Sequence, residues 1–108
     1  MRGYIQVSTA TRTREDAEKI AHALVKKRLA ACVQILGPIS STYWWKNRIE
    51  NVEEYLCLIK SQKSLYGRIE KAIKEIHPYE TPEITATSIV AGSKEYFKWI
   101  DQELKSES

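Results

Sequence analysis

Seven consecutive residues, His77-Pro78-Tyr79-Glu80-Thr81-Pro82-Glu83, gather an imidazole, a phenol and two carboxylates. Each proline fixes its own φ and pushes the residue before it out of helical geometry. The segment is therefore expected to be a stiff, extended connector with its polar groups held outward. A connector that only had to turn would draw on Gly, Asn, Ser and Asp. Neutral imidazole is a ligand for copper and zinc, and Glu80 or Glu83 adds oxygen donors. His77 beside Tyr79 and Glu80 also has the composition of an acid–base pair. No Ser or Cys nucleophile stands in a catalytic motif, so an enzyme is not expected. The competing structural reading is that the segment locks a junction, with His77 and Glu83 satisfying buried polar groups.

The elements that position this segment follow from the hydrophobic period. Residues 3–9 read as a first strand. Thr13-Arg14-Glu15-Asp16 resembles a capping box with Asp16 in place of the usual Glu. Ala17, Ile20, Ala21, Leu24, Val25 and Leu29 then mark one helical face, with His22 on the more exposed side. Lys26-Lys27-Arg28 lies at the end of this helix, where cations complement the macrodipole. A short strand over 32–35 meets Gly37-Pro38, a turn or bulge signal. A second extended run, 39–46, reverses at Asn47-Arg48 into a strand over 49–60, with Asn47 suited to positive φ. Ser64 is placed to cap a helix with Leu65, Ile69, Ala72, Ile73 and Ile76 on its core face, and Pro78 ends it. Residues 84–90 form another strand, and Gly92-Ser93 opens a last helix carrying Tyr96, Phe97, Trp99, Ile100 and Leu104.

This order, β-α-β-β-α-β with a terminal helix, is that of a ferredoxin-like α+β sandwich, helices on one face of an antiparallel sheet. No repeat or linker interrupts it, so one domain over 1–108 is expected. The long hairpin poses a covering problem. Tyr43, Trp44 and Trp45 are consecutive and point alternately to both faces, and residues 55–59 are also apolar on both faces. Helices of one subunit cover only one face, so the remaining aromatic surface calls for a symmetric homo-oligomer.

Composition excludes several classes. A formal net charge of +3, with acids and bases interleaved, gives no nucleic-acid footprint, and no RNP-like aromatic motif is present. No apolar run approaches the ~18 residues of a membrane span. The first residues have no long apolar region of a signal peptide, so a cytoplasmic location is expected. Cys32 and Cys57 sit in apolar surroundings and read as core residues, not as a disulfide or a zinc site.

Three stretches in order, residues 29–35 (Leu-Ala-Ala-Cys-Val-Gln-Ile), Ser41-Thr42-Tyr43-Trp44-Trp45 and the His-Pro-Tyr-Glu-x-Pro-Glu run, resemble the CutA family of divalent-cation tolerance proteins. The resemblance runs from Tyr4 to about Leu104 and implies a homotrimer, similar in architecture to the PII signalling proteins, whose long hairpins cross between subunits. It places the 77–83 segment near an intersubunit cleft close to the end of the first strand. Tyr43 and Trp45 line that cleft, with Lys60 as a candidate cation and Ser8, Tyr79 and Glu83 nearby. The implied function is a response to metal ions, copper among them, with His77 and Glu80 as metal ligands. The family's proposed copper site uses a first-strand Cys and a second His, and these positions hold Ser8 and Ile76 here, so any metal site is expected to be weak. The alternatives are a PII-like small-ligand trimer, for which Tyr43, Trp45, Tyr79, Lys60 and His77 would form the pocket, and a structural scaffold. Gly37-Pro38 inverts the family's usual Pro-Gly, and Asn47 replaces its hairpin Gly.

Overall fold

A computed structural model describes residues 3–105. The element order is β1 (Tyr4–Thr11), α1 (Arg14–Lys26), β2 (Cys32–Trp45), β3 (Arg48–Gln62), a 3-10 turn (Lys63–Leu65), α2 (Tyr66–Ile76), β4 (Thr85–Ser88) and α3 (Lys94–Glu103). The strands form one antiparallel sheet in the order β2-β3-β1-β4, the ferredoxin-like arrangement expected from the sequence.

Strand alternation separates the sheet into two faces. Ile5, Val7 and Thr9 of β1 pair with Ser61, Ile59 and Cys57 of β3, and this face packs under α1 and α2. Its core holds Ala17, Ile20 and Leu24 from α1 and Ile69, Ala72 and Ile73 from α2. Truncating a fully buried Leu or Ile here to Ala would cost about 2–5 kcal/mol. Cys57 is enclosed in this core, its Sγ 3.8 Å from the Ala17 carbonyl oxygen, and burial raises its thiol pKa to about 11. The other face carries Gln6, Ser8 and Ala10 opposite Lys60, Leu58 and Leu56. At one end of it, Tyr4 stacks on Phe97 at 4.1 Å, and Tyr4 and Gln62 both donate to the Asp101 carboxylate. α3 thus covers only the end of this second face.

Local signals explain most boundaries. Thr13 caps α1 by accepting from the Asp16 N–H at 3.1 Å. The helix ends with Arg28 at φ 60, a position where Gly is usual, and with Arg28 N–H bonded to Val25 O and Leu29 N–H to Leu24 O. Arg28 also reaches Glu103 at 2.9 Å, and its carbonyl accepts from Lys105 N–H, which ties α1 to the end of α3. Lys46 and Asn47, at φ 50 and 64, form the two-residue hairpin loop.

Several expectations change. The two runs expected over 32–35 and 39–46 are one strand, β2, and of the turn or bulge expected at Gly37-Pro38 it is the bulge that forms: the strand passes through a cis Gly37-Pro38 bond, and the register with β3 shifts between Leu36 and Ile39. A Cβ on Gly37 would lie 2.6 Å from the Tyr55 ring, so the bulge needs glycine for close approach. Ser64 does not cap α2, because it lies within the 3-10 turn that carries Leu65 into the core, and the helix begins at Tyr66. Val25 and Ile76, expected on core faces, are exposed, while Leu24 and Ile73 of the same final turns are fully buried, so the buried stripe is narrower than the helical period suggested. β4 is shorter than 84–90, although the Ile89 N–H still bonds Tyr4 O. All four β4 residues are exposed in the protomer.

Candidate functional site

The connector 77–84 forms neither helix nor strand and runs beside the C-terminal end of β1. His77, only 8% exposed, anchors it. Its Nε2 lies 2.8 Å from the Ala10 carbonyl oxygen, which can only accept, so Nε2 carries the proton. Nδ1 then accepts from the Tyr79 N–H at 3.1 Å. Both ring nitrogens are used within the protomer, and a metal could reach His77 only by displacing one of these bonds. Burial lowers the imidazole pKa, while the Ala10 carbonyl and the charges of Asp16 and Glu54 pull it partly back.

The hydrogen bond to His77 turns Tyr79 over the uncovered sheet face, where its ring packs edge-on to the imidazole at 4.7 Å. Its hydroxyl donates to Glu54 Oε2 at 2.7 Å. Burial, then this bond and the Glu54 charge, raise the phenol pKa, so Tyr79 stays a neutral donor. Glu54 is 6% exposed and pairs in register with Ile39, immediately after the bulge.

Two hollows flank Tyr79. The larger, about 430 Å³, is lined by residues that include Tyr43, Glu54, Tyr79, Thr81 and Glu83. The smaller, about 240 Å³, is lined by Arg12, Tyr43, Trp45, Glu50, Tyr79 and Glu80. The sequence-predicted Tyr43, Trp45, Tyr79, Glu80 and Glu83 therefore come together around one ridge. Ser8 lies on the same sheet face, two residues from Ala10. Lys60 pairs with Gln6, roughly 13 Å farther along the strand from Ala10 at ~3.3 Å per residue, and its Nζ bonds Gln34 Oε1 at 2.7 Å. Within one protomer the structure keeps Lys60 apart from the hollows.

Sequence reasoning missed Glu54, Glu50 and Arg12. Glu54 shares strand parity with its neighbours Val52, Leu56 and Leu58, and an acid between these apolar residues was the available signal. Among the described residues, no group of three or more His, Cys, Asp or Glu side chains is gathered to hold a metal ion. No helix among them is long and apolar enough to cross a membrane.

Comparison with known proteins places these motifs in a family. The model of the CutA1 divalent ion tolerance protein family matches residues 5–103. Protein CutA of Mus musculus is 41% identical over 92 residues, 85% of this chain but 52% of that protein. The chain thus spans about half the length of this mammalian relative. The divalent-cation tolerance protein CutA of Archaeoglobus fulgidus is 41% identical over 88 residues, covering 82% of this chain and 85% of that one. The crystal structure of CutA1 from Oryza sativa superposes with a TM-score of 0.93 at 31% identity, over 98% of this chain and 96% of that one. With the family model spanning nearly all of the described residues, the chain belongs to the CutA family of divalent-cation tolerance proteins.

Proposed function

We propose that the protein is a homotrimer that takes part in the response to divalent metal ions, copper among them, through weak binding in clefts between its subunits. The observation that carries this reading is Glu54, a carboxylate almost removed from water on a hollow that Glu83 also lines. A buried carboxylate is costly unless a cation or hydrogen bonds offset it, and Tyr79 supplies one such bond. Carboxylate oxygens suit hard divalent ions, and copper(II) accepts them as well. Glu80, lining the adjoining hollow, adds a further oxygen donor. In this reading His77 acts chiefly as the anchor that orients Tyr79. Its imidazole becomes a copper ligand only by giving up its bond with the Tyr79 N–H or with the Ala10 carbonyl. Binding is weak because one protomer contributes too few donors to complete a coordination sphere.

Assembly is supported by the uncovered sheet face. Leu36 is 49% exposed there, and on the hairpin Trp44 and its cross-strand partner Ile49 are 71% and 59% exposed. Apolar area of this kind marks a contact surface, and a closed symmetric oligomer covers it on every copy. A cytoplasmic location accords with two unpaired cysteines, Cys32 and Cys57.

Calorimetric titration of Cu²⁺ and Zn²⁺ into the protein, Glu54→Gln and His77→Ala, with subunit number from light scattering, tests this. Saturable binding weakened about tenfold by Glu54→Gln, in an intact trimer, is expected. An intact trimer without saturable binding would sink the direct metal role, and a single-chain mass would sink the assembly.

A further inference from the structure

Beside its carboxylates, the smaller hollow is lined by aromatic rings that a hydrated metal ion would use poorly. Tyr43 and Trp45 are alternate residues of β2 and share the uncovered face, and Glu50 stands opposite Tyr43 in register. Tyr79 adds a third aromatic ring from the connector. Its hydroxyl is already committed to Glu54, so what Tyr79 offers this hollow is its ring. Glu50 and Glu80 bring two negative charges and Arg12 one positive charge, a net of −1 for the lining. Aromatic faces attract cations through their quadrupole, most strongly when the cation is poorly hydrated. The chain displays this attraction itself: the Lys46 ammonium lies 5.6 Å from the centroid of the Trp45 ring.

We propose that this hollow binds a small organic ammonium, an alkylated amine seated against Trp45, Tyr43 and Tyr79 with its charge balanced by Glu50 and Glu80. This goes beyond the metal reading and does not depend on it. Three rings at one hollow give an inorganic dication little, whereas an alkylated nitrogen gains both the cation–π attraction and burial of its methyl groups.

The test is calorimetric titration of the assembled protein, in metal-free buffer with chelator, using choline and its uncharged isostere 3,3-dimethylbutan-1-ol. Saturable choline binding, with the isostere about tenfold weaker, is expected from the size of cation–π and charge terms. Trp45→Ala should abolish the preference and Trp45→Phe retain part of it. Should Trp45→Ala fail to assemble, Glu80→Gln, an exposed substitution, should weaken choline and leave the isostere unchanged. Equal binding of choline and isostere would overturn the proposal by showing a merely apolar hollow. Absence of saturable choline binding at millimolar concentration would overturn it outright. Because metal is excluded from the buffer, either result stands apart from the fate of the metal reading.

Discussion

The hydroxyl of Tyr79 donates to the carboxylate of Glu54, 25 positions earlier in the chain, at 2.7 Å. This bond fastens the proline-stiffened connector to the long hairpin. Tyr79→Phe removes the donor and leaves a buried acceptor short of a partner, which costs about 1–3 kcal/mol. Chemical denaturation should show the loss, and Glu54→Ala/Tyr79→Phe should cost less than the two single changes added together. Strict additivity would show that the bond contributes nothing.

The pH dependence of stability has a definite sign at His77. Its folded pKa lies below the ordinary imidazole value because burial disfavours the charged ring. The unfolded chain therefore binds the proton more readily in the interval between the two values. The contribution to stability is complete above the unfolded pKa of about 6.5 and is lost as pH falls through the folded value. Protonation also converts Nδ1 from acceptor to donor and breaks its bond from Tyr79 N–H. Melting curves from pH 8 downward should decline below about pH 6.5, and His77→Gln should flatten that decline. A parallel decline in both proteins would assign it to other groups.

Leu36→Glu separates folding from assembly. At a side chain already half exposed in the protomer, a surface substitution changes intrinsic stability by only about 0.5 kcal/mol. Buried between subunits, the same carboxylate is costly. Light scattering should report single chains while circular dichroism keeps its native form. A variant that remains oligomeric would remove Leu36 from the interface.

Thr9 points into the core, and its Oγ1 is buried with no hydrogen-bond partner among the described residues. Valine has nearly the same shape without the hydroxyl, so Thr9→Val should stabilise the protein by about 1 kcal/mol. Denaturant midpoints at constant slope would measure this. A destabilised variant would point to an unseen partner for the hydroxyl.

Periodicity carried the order of elements because each helix and strand buries a face with its own repeat. The hairpin tip was legible from Asn47, whose backbone does take positive φ. Contacts between distant segments were not legible. Nothing local to Glu54 shows that Tyr79 returns to it, and nothing local to His77 shows that both its nitrogens serve the backbone. Its residue type advertises a ligand, whereas its burial makes it a clasp. Val25 and Ile76 fit the helical period, yet they are exposed beside fully buried Leu24 and Ile73, because the period marks a wider stripe than the core encloses. The close approach of the Tyr55 ring, which leaves no room for a Cβ at Gly37, likewise comes from across the ladder.

Cys57 lies wholly inside the core with its thiol pKa raised to about 11, so it offers almost no thiolate to an alkylating reagent while the chain is folded. Each modification at that sulfur therefore records an opening of the layer between α1 and the sheet. Cys32 lies nearer the surface and supplies an internal comparison in the same molecule. The chain thus carries its own clock for slow breathing, readable by mass spectrometry without any engineered label.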